Sequence, residues 1–349
     1  MKKEDILSII ILLSLFIFLF YVEVKISNLT VKHTYFKNEL SKKEPLDKNE
    51  VIISFIGDCT LGTGLNYSYT RSFIEKYNNI KDDSYFFGGV KDILSNDNFT
   101  VANLEGVLSD TASTINPKKY NYKGPSKYAN ILKKGSVEMV NLANNHTYDY
   151  LEKGYNDTIN SLNNKGILHF GYNNYQIVET NNIKIGLFGL GGWDYSSTKK
   201  EIDIAINKLK DTDIIIANFH WGEMRKYTHT KTQEQIAKYA IDKGVDLVIG
   251  HHSHILGGIE KYKDRYIAYS LGNFVYGGIY YPYDSDTMIL RMHYKLKDNK
   301  IESNYIEIIP CSITSSKIIN DYRPIPSKEK QRIINKINKY STNFIYENR

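Results

Sequence analysis

The sequence predicts an α/β fold. From Val51 onward, short runs rich in Val, Ile and Phe alternate with amphipathic stretches. Two of these stretches, residues 151–165 and 232–243, have helical periodicity, and each is followed by a glycine, Gly166 or Gly244, that is well placed to end a helix. Repeated strand–helix–strand order is typical of α/β proteins, in which the central strands of a sheet are buried on both faces.

The predicted strands are nine apolar runs. They are rich in β-branched and aromatic residues, which favour strands over helices. In chain order they read VIISFIGD, FTVANLEG, VEMVNLANNH, IKIGLFGLGG, DIIIANFHWG, VDLVIGHHSH, YIAYSLGNFVY, MILRMHYKL and NYIEIIP.

Polar residues stand where several of these runs end. Asp58 ends the first run, Glu105 the second and His220 a later one, and the third ends in Asn145 and His146. In open α/β sheets, ligands bind outside the carboxyl ends of the strands. We therefore expect these side chains to converge on one site, although they are far apart in the sequence.

The stretch DLVIGHHSHILGG, residues 246–258, adds three histidines to this group. An apolar run ends in a glycine, and His251, His252 and His254 follow within four positions. Imidazole is the commonest metal-binding side chain and has little use in packing alone. Of the three, we expect His252 and His254 to be ligands and His251 to contact the backbone or substrate.

The donor types indicate a divalent cation. Carboxylates, an amide oxygen and imidazoles suit Mn²⁺, Fe or Zn²⁺, and the thiolates of a structural zinc site are missing from the group. Two such cations against Asp58 and Glu105 would leave a net charge of about +2 by simple counting, which would attract phosphate or carboxylate oxygens. The pattern leaves open whether one ion binds or two.

Each candidate also has an ordinary structural interpretation. Asp58 follows a strand beside a glycine and could belong to a turn, and Glu105 could cap a helix. His146 could be a loop histidine that hydrogen-bonds to backbone, and His252 and His254 could be solvated. Their predicted convergence favours the site interpretation.

The N-terminal segment predicts a membrane anchor. Residues 6–22 are seventeen uncharged residues, enough at about 1.5 Å each to cross a hydrocarbon core of ~30 Å. Lys2 and Lys3 precede them, which indicates a cytoplasmic N-terminus and a main domain outside the cell. A cleavable signal peptide is the alternative, although no A-x-A-like site follows. Residues 1–22 are thus assigned as a cytoplasmic tip and a single-pass anchor.

The rest of the chain divides into three predicted parts. Residues 23–48 are polar and form a stalk, residues 49–312 form the main domain, and residues 313–349 form a peripheral, Lys-rich tail with one helix at 327–340. The net charge of +6 is spread over interspersed lysines and acids. Because the chain has no basic stripe, we expect no nucleic-acid partner.

Six motifs, taken in order, resemble the CapA family of poly-γ-glutamate capsule biosynthesis proteins. This family is a branch of the calcineurin-like metallophosphoesterase superfamily, and the resemblance covers about residues 50–312. It implies a four-layer αββα sandwich and a membrane-anchored extracellular protein that works with other capsule-synthesis membrane proteins. The motifs are GDCTLG (57–62), NLEG (103–106), NLANNHTYD (141–149), HWGE (220–223), GHHSH (250–254) and YSLGNFVY (269–276).

The resemblance also implies a role for each site residue. His146 would be a general acid or transition-state stabiliser, while Glu223, Asn273 and His251 would contact substrate or support the site. The implied metal ligands are Asp58, Glu105, Asn145, His220, His252 and His254, with Glu105 in the bridging region.

One motif departs from the superfamily pattern. Other phosphoesterases of the superfamily begin with D-x-H, whereas this chain has Asp58-Cys59-Thr60 and therefore one histidine fewer at the first metal position.

Three functions remain compatible with the sequence. The first is capsule synthesis or export with a metal-dependent, phosphoesterase-like site that acts on an anionic polymer. The second is a surface metallophosphoesterase whose substrate is a phosphorylated glycan, lipid or nucleotide. The third is a non-catalytic scaffold of the capsule-synthesis complex.

Overall fold

The computed structural model of the protein describes residues 47–316 and 318–347. The predicted membrane anchor at 6–22 and nearly all of the predicted stalk lie outside these residues. Within the described part, no helix combines the length and apolar character that a membrane crossing requires.

The described residues form seventeen strands. All nine predicted runs contain a strand, and YIAYSLGNFVY contains two. The strands are β1 (Glu50–Thr60), β2 (Thr63–Gly64), β3 (Phe99–Leu104), β4 (Val107–Leu108), β5 (Tyr122–Gly124), β6 (Met139–Asn141), β7 (Leu168–Phe170), β8 (Gln176–Thr180), β9 (Ile183–Gly191), β10 (Ile214–His220), β11 (Leu247–His251), β12 (Ile259–Tyr262), β13 (Arg265–Ala268), β14 (Asn273–Tyr276), β15 (Asp286–Lys297), β16 (Lys300–Ser312) and β17 (Ile325–Pro326).

Seven α-helices and one short 3₁₀ helix (Ser126–Tyr128) connect these strands in the described residues. The helices are α1 (Phe73–Ile80), α2 (Lys91–Leu94), α3 (Ala129–Lys134), α4 (Leu151–Asn163), α5 (Tyr195–Leu209), α6 (Lys231–Asp242) and α7 (Lys330–Tyr340). The predicted helices at 151–165 and 232–243 are confirmed as α4 and α6, and both following glycines have positive φ. The predicted helix at 327–340 is confirmed as α7, whereas α1, α2, α3 and α5 were not predicted.

The larger strands form two sheets. The first has the order β17-β16-β15-β1-β3-β6-β7, with β14 also paired to β1, and its segment β1-β3-β6-β7 is parallel. The second has the order β12-β13-β11-β10-β9-β8, with β9, β10, β11 and β13 parallel. A third, small sheet has the strand order β2-β5-β4.

The two large sheets pack face to face. Strands β1, β3 and β15 of the first sheet and β9, β10 and β11 of the second contribute side chains to one buried apolar cluster. A second cluster joins the outer face of the first sheet to α1, α2, α3 and α4, and a third joins the outer face of the second sheet to α5 and α6. The predicted α/β sandwich is thus confirmed, and its layers follow the order αββα.

The C-terminal segment is less peripheral than the sequence predicts. Strand β17 joins the first sheet, and helix α7 buries Ile333 and Ile337 in the cluster between the sheets. Phe344 and Tyr346 pack against the same cluster. The lysine-rich composition concealed this contact, because it depends on one apolar stripe of an otherwise polar helix.

We expect Ile337→Ala to destabilise the protein by about 2–5 kcal/mol, since a fully buried isoleucine would leave a cavity between the sheets. Urea denaturation of the purified protein measures this change. The matched control is Ile345→Ala in the same segment, where the side chain is 75% exposed. Equal stability of the two variants would contradict the packing of α7 into the core.

Candidate metal centre

The strand-end residues converge as the topology requires. Parallel pairing places Asp58 of β1 level with both Asn103 of β3 and Asn273 of β14. In the second sheet, His220 of β10 is level with His251 of β11. The carboxyl ends of both parallel segments therefore meet at one edge of the sandwich.

Glu105 lies at the centre of this group. It is fully buried, and neither of its carboxylate oxygens accepts a hydrogen bond from the residues described. Its Oε1 is 3.8 Å from His146 Nε2 and 3.7 Å from His220 Nε2, and its Oε2 is 3.8 Å from His254 Nδ1. A buried carboxylate without donors is costly unless a cation or a proton balances it.

The electrostatic surroundings of Glu105 favour its protonated form. Burial raises the pKa of Glu105 to about 8, and the nearby Asp58 acts in the same direction while His254 opposes it. A cation between the imidazoles would take over the stabilisation that the proton supplies.

One group of potential ligands surrounds Glu105 Oε1. His252 Nδ1 and His220 Nε2 lie 3.0 Å apart, and Asn145 Oδ1 is 2.7 Å from His220 Nε2. Burial holds the pKa of His220 well below its usual range and lowers that of His252 to about 4. Both imidazoles are therefore neutral near pH 7, which is the form that binds metals.

A second group surrounds Glu105 Oε2. The donor atoms of Asp58, Glu105 and His254 all lie within 4.8 Å of one another, as do those of Glu105, His220 and His252. His254 Nδ1 is 3.2 Å from Asp58 Oδ2. Burial opposes protonation of His254, but Glu105 and Asp58 raise its pKa to about 9. The two groups share Glu105.

The loop after β11 holds its histidines in a strained backbone. His252 has φ 92° and His254 has φ 60°, both in the left-handed region that residues other than glycine seldom occupy. Such positions cost on the order of 1–3 kcal/mol and concentrate at functional sites. Here the strain turns both imidazoles toward Glu105.

Buried asparagines that were not predicted from the sequence support the carboxylate of Asp58. Asn103 donates from Nδ2 to Asp58 Oδ1 at 2.9 Å, while its own Oδ1 accepts from Asn141 at 3.1 Å and Asn144 at 3.3 Å. The signal was available, since an asparagine inside an apolar run such as FTVANLEG must find buried partners. This network holds the carboxylate of Asp58 in place through its Oδ1 atom.

His146 stands beside the two groups in a separate network. Its Nδ1 lies 2.8 Å from Asp149 Oδ2, and its ring packs edge-on against Tyr122 at 4.5 Å. Lys118 forms an ion pair with Asp149 and donates to the backbone carbonyl of Asn145. Burial lowers the pKa of His146, and the hydrogen bond to Asp149 opposes that shift. Lys118 and Asp149 were not predicted from the sequence.

A cavity of about 540 Å³ opens above these residues. Its cationic side chains are Lys118, Lys119 and Arg225, and tyrosines form much of the remaining wall. His146, Asn145, His252, His254 and Asn273 lie on its floor or sides. The lining thus places some donors of each ligand group next to three cationic side chains and one acidic side chain, Asp284, and this excess of positive charge suits an anionic substrate.

Three predicted residues have different positions relative to this cavity. Asn273 lines it, with Oδ1 3.0 Å from His254 Nδ1. His251 is buried behind it, with Nδ1 3.3 Å from Asp58 Oδ1. Glu223 is exposed and lines a small depression with Tyr227 instead. The structure therefore does not bring Glu223 to the cavity.

The residues fit a divalent cation. Glu105 supplies two buried oxygens without donors, His220 and His252 supply neutral imidazoles, and Asn145 supplies an amide oxygen, which together suit Mn²⁺, Fe or Zn²⁺. Cys59 does not take part, because its thiol packs in the core, hydrogen-bonds to the Gly57 carbonyl and has its pKa raised to about 12 by burial. The fold and the site together define an αββα sandwich with a candidate divalent-metal centre at the carboxyl ends of its parallel strands.

Comparison with known proteins places this chain more narrowly. It belongs to the family described as Bacterial capsule synthesis protein PGA_cap, which it matches over residues 52–277. It is 25% identical over 322 residues to the "Capsule biosynthesis protein CapA" of Bacillus anthracis, covering 84% of this chain and 74% of that protein. It is 28% identical over 273 residues to the "PGA biosynthesis protein CapA" of Bacillus subtilis (strain 168), covering 69% of this chain and 67% of that protein.

Two solved structures are more distant. A 5'-nucleotidase from Candida albicans SC5314 is 13% identical with a TM-score of 0.42, and the match covers 85% of this chain and 59% of that one. A hypothetical protein from Thermus thermophilus is 10% identical with a TM-score of 0.46, covering 74% and 99% of the two chains.

We expect the chelated protein to lose stability as the pH rises from 7 to 9. The folded pKa values of Glu105 (about 8) and His254 (about 9) lie above the ordinary values of 4.5 and 6.5, so the folded state holds protons that the unfolded state has released. Each extra proton corresponds to a slope of about 1.4 kcal/mol per pH unit. Urea denaturation with chelator measures the profile, and Glu105→Gln is the control that should reduce the slope, because Asp58 still raises the pKa of His254. A profile that stays level in the unsubstituted protein would refute this account.

Proposed function

We propose that this chain is a divalent-metal-dependent hydrolase of the phosphoesterase type that acts in the synthesis or export of a poly-γ-glutamate capsule. Membership of a capsule-synthesis family supports the process. The reaction type rests on the centre around Glu105 and on the histidine that stands beside it.

The observation that carries the proposal is the position of Glu105. Its two oxygens receive no hydrogen bonds from the described residues, yet they face imidazoles of two ligand groups. Glu105 would therefore help to hold a cation together with His220 and His252, or together with Asp58 and His254. A bound divalent cation would polarise a substrate oxygen and lower the pKa of a coordinated water.

His146 has the geometry of a general acid. Asp149 holds Nδ1 at 2.8 Å, which leaves Nε2 directed toward Glu105 Oε1 and the cavity. A protonated Nε2 could donate to the oxygen of a departing group. Lys118 pairs with Asp149 and also lines the cavity. Its positive charge therefore lies close both to the Asp149 carboxylate and to an anion bound in the cavity.

The cavity fits an anionic chain. Lys118 and Lys119 lie on its wall together with Arg225, so the positive charge extends beyond the metal centre. Such a charge distribution raises the local concentration of polyanions. Both a phosphoester and a polymer of glutamate would be attracted to it.

The proposed setting is the outer face of the cell membrane. The apolar segment 6–22 and the preceding lysines support an uncleaved anchor with the domain outside. There the chain would work beside other membrane proteins of capsule synthesis. Protease added to intact cells tests the location, because an external domain would be digested and a cytoplasmic one would remain.

We expect the Mn²⁺-loaded protein to release p-nitrophenol from p-nitrophenyl phosphate or its bis ester, and His146→Ala to lower the rate by about 10²- to 10⁴-fold, because a general acid is lost. Metal content, measured by elemental analysis, should not change. His169→Gln is the matched control, since that histidine lies on β7 and contacts Asn163 and Asn174 instead. A loaded protein that hydrolyses neither ester would refute phosphoesterase activity.

A second experiment separates catalyst from scaffold in the native host. We expect the double variant Asp58→Ala/His254→Ala, expressed at the normal level, to abolish surface polymer, because it removes two donors of the second group. His169→Gln should leave the polymer unchanged. Normal polymer in the double variant, with partner proteins still recovered by pull-down, would favour the scaffold function.

A further inference from the structure

The two ligand groups around Glu105 differ in the number of donors that the predicted ligands supply. Each contains three titratable residues, and zinc or manganese in a protein takes four or more donors. In the group of His220 and His252, Asn145 supplies an additional oxygen. The group of Asp58 and His254 has no such donor among the assigned ligands.

Asn273 occupies the corresponding position in the second group. Its Oδ1 is 3.0 Å from His254 Nδ1, much as Asn145 Oδ1 is 2.7 Å from His220 Nε2. Each group thus has an amide oxygen next to one of its imidazole nitrogens. Asn273 is nearly buried and still lines the cavity.

The sheet register explains why Asn273 reaches this place. Strand β14 runs parallel to β1, and Asn273 is paired directly with Asp58. Both side chains therefore leave neighbouring strands at the same level. His254 Nδ1 lies close to both, 3.2 Å from Asp58 Oδ2 and 3.0 Å from Asn273 Oδ1.

The neighbouring candidates are engaged elsewhere. The Thr60 hydroxyl donates to the backbone carbonyl of Glu105 at 2.8 Å. His251 approaches the other oxygen of Asp58, Oδ1, at 3.3 Å, whereas the second group is built around Oδ2. Of these three neighbours, Asn273 is the one whose side-chain oxygen contacts His254, a member of this group.

We infer that Asn273 is a metal ligand that completes the second group together with Asp58, Glu105 and His254. This inference rests on the proposed metal-dependent function. It assigns Asn273 to the metal centre and not to substrate recognition, and it gives each of the two cation positions one neutral amide oxygen.

Metal titration of the full-length chain tests the assignment. After removal of metal by chelator, the unsubstituted protein dialysed against Mn²⁺ should bind two equivalents, and their exchange coupling should appear in the electron paramagnetic resonance spectrum. Asn273→Ala should retain one equivalent with the six-line spectrum of isolated Mn²⁺. Asn273→Asp keeps an oxygen donor and should retain both.

The matched variant is Asn145→Ala, which should also retain one equivalent, at the other position. Equal thermal unfolding of the variants in chelator controls for folding. Two coupled equivalents in Asn273→Ala, with unchanged affinity, would overturn the role of Asn273 and leave the proposed function standing. An unsubstituted protein that binds no Mn²⁺, Fe²⁺ or Zn²⁺ would overturn both.

Diffraction from Mn²⁺-loaded crystals separates a ligand from a residue that only orients His254. A ligand would place Asn273 Oδ1 about 2.0–2.6 Å from an anomalous peak. An amide oxygen that keeps its 3.0 Å contact with His254 Nδ1 and lies well beyond that range from the peak would overturn the inference.

Discussion

The buried carboxylate of Glu105 is the constraint on which the arrangement of the site depends. A charge at this depth, without hydrogen-bond donors, is stable only if a cation or a proton balances it. Imidazole nitrogens of His146, His220 and His254 lie 3.7–3.8 Å from its oxygens, and these histidines come from three separate segments of the chain. The fold must therefore hold three loops and two sheets in register around one side chain, which an αββα sandwich does by aligning the ends of its parallel strands.

Close backbone contact makes that register possible. A Cβ on Gly57 would lie 2.0 Å from the carbonyl oxygen of Gly272, and one on Gly250 would lie 2.1 Å from that of Tyr269. Each glycine immediately precedes a site residue, Asp58 or His251. A side chain at either glycine would push the strand ends apart, so these positions set the distances within the centre although neither glycine carries a donor side chain.

The sequence predicted the parts of this structure that depend on local pattern. Helices α4 and α6 were predicted because their apolar residues repeat regularly and a glycine follows, whereas the lysine-rich α5 gave a weaker signal. The strand-end rule predicted that Asp58 and Glu105 would meet. The sequence could indicate that Asn103 has buried partners but not which ones, and it could not show the ion pair of Asp149 with Lys118, because those partners lie in other segments. Glu223 is three residues after His220, but Gly222 between them has a positive φ, and the side chain of Glu223 lines a different depression from the cavity.

The neutral amides of the centre have an electrostatic consequence. Asp58 and Glu105 together carry −2, so two divalent cations would leave about +2 at the floor of the cavity. If Asn145 and Asn273 were both aspartates, the same cations would be fully neutralised and an anion would gain nothing from approaching them. Amide oxygens fill coordination positions without cancelling charge, and Lys118 and Arg225 extend the positive field outward. In the proposed centre, asparagine rather than aspartate at these two positions would thus couple metal binding to the attraction of an anionic polymer or phosphoester.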